Sequence, residues 1–349
     1  MENDFVQCFE ATGVGSLPHQ ELEQACILIA RNLPDTPFWP QLPRYSLLES
    51  MNLQASAGLP FLKVDETKGK MRFHGSLDEA RELEKVYSSY LAGETESFRL
   101  PERYAGGFWR MMNYLEEKKI SPRFFKGQMV GPITFGLSVQ DERGKDIIHN
   151  EVIFDALVKG LLLRGRWIIE EMKRICPRVV FFIDEPALSG YGSAFFSVES
   201  RVVSQRLNEF IEDFQQQGAR VGVHCCGNTD WSLLLESRAD IINFDAWGFL
   251  ERLALYPEAL QGFLSRKGVL AWGIVPTTEF TGNETVESLE ERLESGFRQL
   301  ETRGLYSQIL RERCLLTSSC GMGLMTVEDA EKAMRLLSGL SRRMREKYC

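Results

Sequence analysis

The chain has 349 residues, 44% hydrophobic and 26% charged, with a formal net charge of -8 and an isoelectric point near 5.3. That length and apolar content can bury one large core and fall within the range of an α/β barrel. The acidic balance lacks the basic footprint that phosphate binding needs, so a nucleic-acid partner is excluded.

No stretch reads as a membrane span. The longest apolar runs, such as 179–183, are strand-sized and end in charges. The opening residues MENDFVQCFEATG carry acids instead of the basic start and apolar run of a signal peptide. A cytoplasmic protein without a membrane partner is the expectation. Its eight cysteines are then expected as free thiols. No two stand as Cys-x-x-Cys, so any metal site has to be assembled from distant segments.

In chain order, a weak strand signal at 12–15 comes first. Residues 33–107 follow, irregular and interrupted by Pro34, Pro37, Pro40, Pro43 and Pro60. They predict extended loops plus a helix at about 77–91, elaborating one end of the fold. Strands are predicted at 124–130, 179–183, 220–224, 240–244, 269–274 and 314–317, where β-branched and aromatic residues concentrate. Between them, apolar residues at helical spacing predict helices over 146–176, 200–216, 285–303 and 326–345. The second of these stops before Gly218, a C-terminal cap.

Alternating strands and helices imply parallel strands joined by right-handed crossovers. Both an open doubly wound sheet and a closed (β/α)8 barrel satisfy that pattern. Neither Gly-rich nucleotide fingerprint of the open sheets occurs, which favours a single (β/α)8 TIM barrel domain over residues 1–349.

Reactive residues recur at the ends of predicted strands. Gly15-Ser16, Gly131-Pro132, Asp184-Glu185-Pro186, His224-Cys225-Cys226, Asp245, Thr277-Thr278-Glu279 and Cys320-Gly321 all stand there. In a barrel these ends share one face, where active sites are built. Alternate residues of an extended segment point the same way, so His224 and Cys226 can hold one ion. Cys320 arrives from the last strand, and Asp245 is placed to complete a tetrahedron or to support it. Two thiolates and an imidazole select zinc. The competing reading makes His224 and the cysteines core residues, since free cysteine is commonly buried.

Asp184 and Glu185 are placed to hold a substrate ammonium or to act as acid and base, or else to cap the next helix. Gly15, Ser16 and the Gly131 turn offer backbone N–H groups to a carboxylate, or simply turn tightly. The segment 38–44 reads as a cover over the site with Arg44 facing an anion, or as a Pro-rich surface loop with packed aromatics. His19, His74 and His149 have no partners by spacing.

These motifs, in this order, resemble the C-terminal catalytic barrel of cobalamin-independent methionine synthase. The wider group includes uroporphyrinogen decarboxylase and the corrinoid-linked methyltransferases. Thr12-Gly13-Val14-Gly15-Ser16-Leu17-Pro18, Gly131-Pro132-Ile133-Thr134, Asp184-Glu185-Pro186-Ala187-Leu188, His224-x-Cys226 and Cys320-Gly321 carry the resemblance across nearly the whole chain. It implies zinc held by His224, Cys226 and Cys320, with Asp245 where the synthase has a ligating Glu. It also implies that Asp184 holds the amino group of homocysteine, with Ser16 and its neighbours at the carboxylate.

Two departures stand out. Trp272-Gly273-Ile274-Val275-Pro276 occupies the place of the synthase's catalytic His, and the N-terminal half of the long synthase has no counterpart. A methylated corrinoid, as methylcobalamin or on a corrinoid protein, is therefore expected as donor in place of a folate. The expected activity is zinc-dependent S-methylation of a small-molecule thiol, homocysteine first. The alternatives are a metal-free decarboxylase-like enzyme and a non-catalytic zinc protein that binds a corrinoid protein or a thiol.

Overall fold

Runs such as Val-Val-Phe-Phe-Ile and Val-Leu-Ala-Trp-Gly-Ile-Val are apolar at every position, the pattern of a parallel strand covered on both faces. In the computed structural model, which describes residues 8–75, 78–193 and 196–349, each of these runs is a fully buried strand. The first third of the chain contains β1 (Glu10–Ala11), α1 (Leu22–Asn32), α2 (Met51–Ser56), β2 (Leu62–Asp65), β3 (Lys70–Phe73), α3 (Glu79–Ala92) and α4 (Gly106–Glu117). Next come β4 (Phe125–Val130), α5 (Pro132–Ser138), α6 (Glu151–Lys173), β5 (Val179–Asp184), α7 (Ser200–Gln216), β6 (Arg220–Cys225) and α8 (Trp231–Leu235). The last part holds β7 (Ile241–Phe244), α9 (Leu250–Leu253), α10 (Pro257–Ser265), β8 (Val269–Val275), α11 (Val286–Glu301), α12 (Ser307–Glu312), β9 (Cys314–Ser318) and α13 (Val327–Tyr348).

Seven strands pair in parallel in the order β1-β9-β8-β7-β6-β5-β4, and β2 and β3 form a separate antiparallel hairpin. The seven-stranded sheet is curled. Asn243 on β7 hydrogen-bonds Thr317 on β9, two strands away, which only a concave face allows.

The closed eight-stranded barrel is not what the described residues form. Between the edge strands β1 and β4 lies the proline-rich segment around 35–41, joined to both sides by isolated bridges only, Phe38 to Lys126 and Gln41 to Ser16. The Lys126 N–H donates to the Pro37 carbonyl at 2.9 Å, and the Gln41 N–H donates to the Gly15 carbonyl at 3.0 Å. Pro37 and Pro40 have no N–H to give, so no regular ladder can run through them.

The core has two parts. One lies between the sheet and its helices. The other fills the lower part of the concave side and consists of Phe124, Val180, Phe182, Ile241, Val269, Ala271 and Leu315. The C-terminal ends of the strands form the upper rim.

Helix boundaries follow local signals. Asn150 caps α6 by accepting from the Ile153 N–H at 3.3 Å, so the helix starts after the 3₁₀ turn Ile147–His149 and not at 146. Thr285 and Ser288 close a capping box on α11, and Thr326 caps α13. Gly218 adopts φ +76 after α7, as its capping role requires.

Differences from the sequence reading concentrate at the start of the chain. β1 lies at Glu10–Ala11, ahead of the expected 12–15. Residues 33–107 hold a hairpin and two α-helices, of which α3 matches the expected helix, Leu77 itself lying outside the described residues. α1 and α4 pack against each other although periodicity had not singled them out. No helix among the described residues is long and apolar enough to cross a membrane.

Candidate metal centre

Strand alternation sends His224 of β6 to the concave side and Cys225 to the opposite face, where its side chain is fully buried in the core. Cys226 follows the strand end, and Cys320 stands two residues beyond the end of β9. The ligand atoms of His224, Cys226 and Cys320 lie within 4.8 Å of one another. Among the described residues this is the group of His, Cys, Asp or Glu side chains able to hold an ion. Two sulfurs and one imidazole fit zinc and disfavour hard oxygen-seeking cations.

The group is electrostatically coupled. Hydrogen bonding from Cys226 and His224 outweighs burial and holds the Cys320 thiol down at about 4. The same bond to Cys320, reinforced by burial, pushes Cys226 far up. The two sulfurs are thus coupled through one hydrogen bond that favours the thiolate on Cys320, the form that binds a cation. Burial works against the His224 imidazolium, but Cys320 and Asp184 overcome it and leave its pKa raised. The His224 Nδ1 lies 2.6 Å from Asn243 Oδ1.

Beside the sulfurs, Asp184 ends β5 in register with His224. It is 4% exposed, and its Oδ1 has no hydrogen-bond partner. Burial lifts it to about 6, opposed by Lys126 and His224. Lys126, fully buried on β4, is pushed down to about 7 by desolvation against the pull of Asp184. Its Nζ donates to the Val14 carbonyl and, at 3.0 Å, to Gln128 Oε1, and sits 4.6 Å from the centre of the Phe182 ring. The lysine therefore ties the Val14-Gly15-Ser16 turn to the floor under Asp184.

A cavity of about 290 Å³ opens over this floor, with Ser16, Met51, Asp184, His224, Cys226 and Cys320 in its wall. A site of that size suits a small molecule. A bulky co-substrate has to approach through the mouth, since drug-sized ligands occupy roughly 300–1,000 Å³.

Gly15 and Ser16 line the cavity. Ser16 is also structural. Its Oγ accepts from the Gly323 N–H at 3.3 Å, and a Cβ at Gly321 would stand 2.2 Å from it. Glu185 does not join Asp184. Its carboxylate accepts from Ile133 N–H at 2.8 Å, Thr134 N–H at 2.7 Å and Thr134 Oγ1 at 2.6 Å, capping α5. Gly131 is required there, because a Cβ would meet Glu185 at 2.2 Å. Asp245 stands outside the three-residue group and accepts from the Gly248 N–H at 2.8 Å, closing its own loop. Arg44 donates to the Leu324 carbonyl at 3.2 Å. Gln41 and Pro43 face the cavity while Phe38 and Trp39 are buried, so segment 38–44 both packs and covers.

Sequence reasoning missed Glu49 and Met51 in the wall, because they come from the irregular segment, whereas Gln41 belongs to the segment 38–44 read as a cover. It also missed Lys126 and Asn243. A signal existed for these two: each is a polar residue inside a strand whose pattern reads as buried.

No protein-family model matches the chain, and no curated protein matches it. Among solved structures the chain is similar to a B12-independent methionine synthase from Shewanella sp. W3-18-1 in complex with selenomethionine. The TM-score is 0.57 at 14% identity, over 98% of this chain and 99% of that one. At that identity the likeness is one of fold: an α/β architecture with a curled parallel sheet.

Proposed function

We propose that the protein is a zinc-dependent methyltransferase that methylates the sulfur of a small amino-acid thiol, homocysteine first. One observation carries this reading: His224, Cys226 and Cys320 bring their ligand atoms within 4.8 Å of one another in the wall of a cavity. Three protein donors, with Asp245 outside the group, leave a fourth position open, the arrangement of catalytic rather than structural zinc sites. The fold shared with a methionine synthase supports the same chemistry.

A zinc ion held by these donors supplies the Lewis acidity that keeps a substrate thiol, pKa near 8.5 when free, in its nucleophilic thiolate form at neutral pH. The chain's own residues do the rest. The unpartnered Asp184 Oδ1 receives the substrate ammonium. Ser16, on the turn braced by Lys126, meets the carboxylate. Met51, in the cavity wall, shields the sulfur from water. The methyl donor enters from the mouth. The corrinoid donor expected from the sequence draws no support from a B12-independent neighbour, so methylcobalamin and methyltetrahydrofolate stand as two arms of one assay.

The test is zinc content by mass spectrometry, followed by methyl transfer from each donor to homocysteine and to thiols lacking the amino group. Stoichiometric zinc and turnover of the amino-acid thiol are expected. Absence of zinc, or equal turnover of all thiols, overturns the reading.

A further inference from the structure

Asn243 is fully buried in β7, between the strands that deliver His224 and Cys320. Its amide is fully committed. Nδ2 donates to the Ala271 carbonyl at 2.9 Å and to Thr317 Oγ1 at 2.8 Å. A backbone carbonyl only accepts, so the atom facing Ala271 has to be the NH₂, and the amide cannot be flipped. The remaining atom, Oδ1, only accepts in turn, and it lies 2.6 Å from His224 Nδ1. The proton in that contact therefore belongs to the imidazole.

We infer that Asn243 is a positioning residue that fixes His224 as the Nδ1–H tautomer and turns the Nε2 lone pair toward Cys226 and Cys320. The inference rests on the zinc reading for its purpose but on hydrogen-bond logic for its content. A ring held this way has one rotational setting and one ligand nitrogen before any metal arrives. Partners of this kind orient a ligating His and raise its basicity. The same amide reaches Thr317, three residues before Cys320, so one side chain sets the spacing between an imidazole on β6 and a thiolate delivered by β9.

The measurement is made on full-length protein labelled with ¹⁵N-histidine. His224 is assigned among the four histidines by loss of its signals in His224→Ala. In metal-free protein the expected pattern is a protonated Nδ1 facing Asn243, with any second proton on Nε2 directed at Cys320, and added Zn²⁺ should displace that proton and shift Nε2 while Nδ1 stays protonated. An unprotonated Nδ1, or a zinc-induced shift centred on Nδ1, overturns the inference. The metal-free spectrum decides the tautomer even where no zinc binds, so failure of the zinc reading is told apart from failure of this one.

Asn243→Leu, which keeps the volume and removes the acceptor, should weaken zinc roughly 10- to 100-fold in chelator competition. The cobalt-substituted form should show an altered sulfur-to-metal absorption band. Thr317→Val, which leaves Oδ1 in place, should cost less affinity and preserve the Nδ1–H signature. Wild-type zinc affinity in a folded Asn243→Leu protein overturns the positioning role. If that variant does not fold, the wild-type tautomer and Thr317→Val still decide.

Discussion

The lower and upper parts of the concave side are lined from the same strands yet are opposite in character. Below, Phe124, Val180, Phe182, Ile241, Val269, Ala271 and Leu315 form a dry apolar plug. Above, Lys126, Gln128, Asp184, His224, Asn243 and Thr317 are equally buried, yet polar or charged. Burial of the first set stabilises, at about 25 cal/mol per Å² of apolar surface. Burial of the second costs, as the upward shift of Asp184 and the downward shift of Lys126 record. Strand alternation alone puts both sets on one face. What separates them is distance along the strand, and the plug offsets the cost of the site above it.

Four substitutions break or sharpen this contrast, from the largest expected effect to the smallest. Cys320→Ala should abolish stoichiometric zinc and methyl transfer, a loss exceeding the roughly 10- to 100-fold worth of outer partners. Thermal unfolding compared between the metal-free forms should change little, and full zinc retention would refute the centre as described. Leu315→Ala, deep in the plug, should show the reverse. A loss of about 2–5 kcal/mol in denaturant unfolding is expected, with zinc affinity unchanged in the folded fraction.

Asp184→Asn should raise KM for an amino-acid thiol roughly 10- to 100-fold, the worth of a charged hydrogen bond. A thiol without the amino group should be unaffected; equal losses for both would remove Asp184 from substrate binding. The ionised carboxylate is needed, so KM should also rise as pH falls through about 6.

Glu185→Gln tests the smallest effect. Burial raises Glu185 from 4.5 to about 7, against the pull of Thr134 and Ile133. A raised acid adds stability that is fully present below about 4.5 and is lost as pH rises through about 7. Wild-type protein should therefore lose on the order of 1–3 kcal/mol from this group between pH 5 and 8. The Gln variant should show a flatter slope of Tm against pH. An unchanged slope would show that another group sets it.

Much of this was legible in the sequence. The regular strands announced themselves because each is apolar on both faces, and the reactive residues marked their ends. His224, Cys226 and Cys320 could be grouped because a parallel fold places all such ends on one rim. Asp245 and Glu185 kept two readings each for one reason: a carboxylate after a strand caps a loop or helix as readily as it faces a substrate, and pattern cannot tell which way it turns. Glu49 and Met51 were invisible because their segment has no period from which to read a face. Asn243 was visible as an oddity in Ile-Ile-Asn-Phe, but its partners lie 28 and 74 residues away.

The proline-rich segment that bridges β1 and β4 has a consequence for solubility. An uncovered parallel edge presents a row of unpaired N–H and C=O groups, a template for another chain. Residues around 35–41 lie along both such edges at once. Pro37 and Pro40 then deny a further strand the donors it would need. The irregularity that hid this segment from pattern reading also guards the sheet against growing outward into an aggregate.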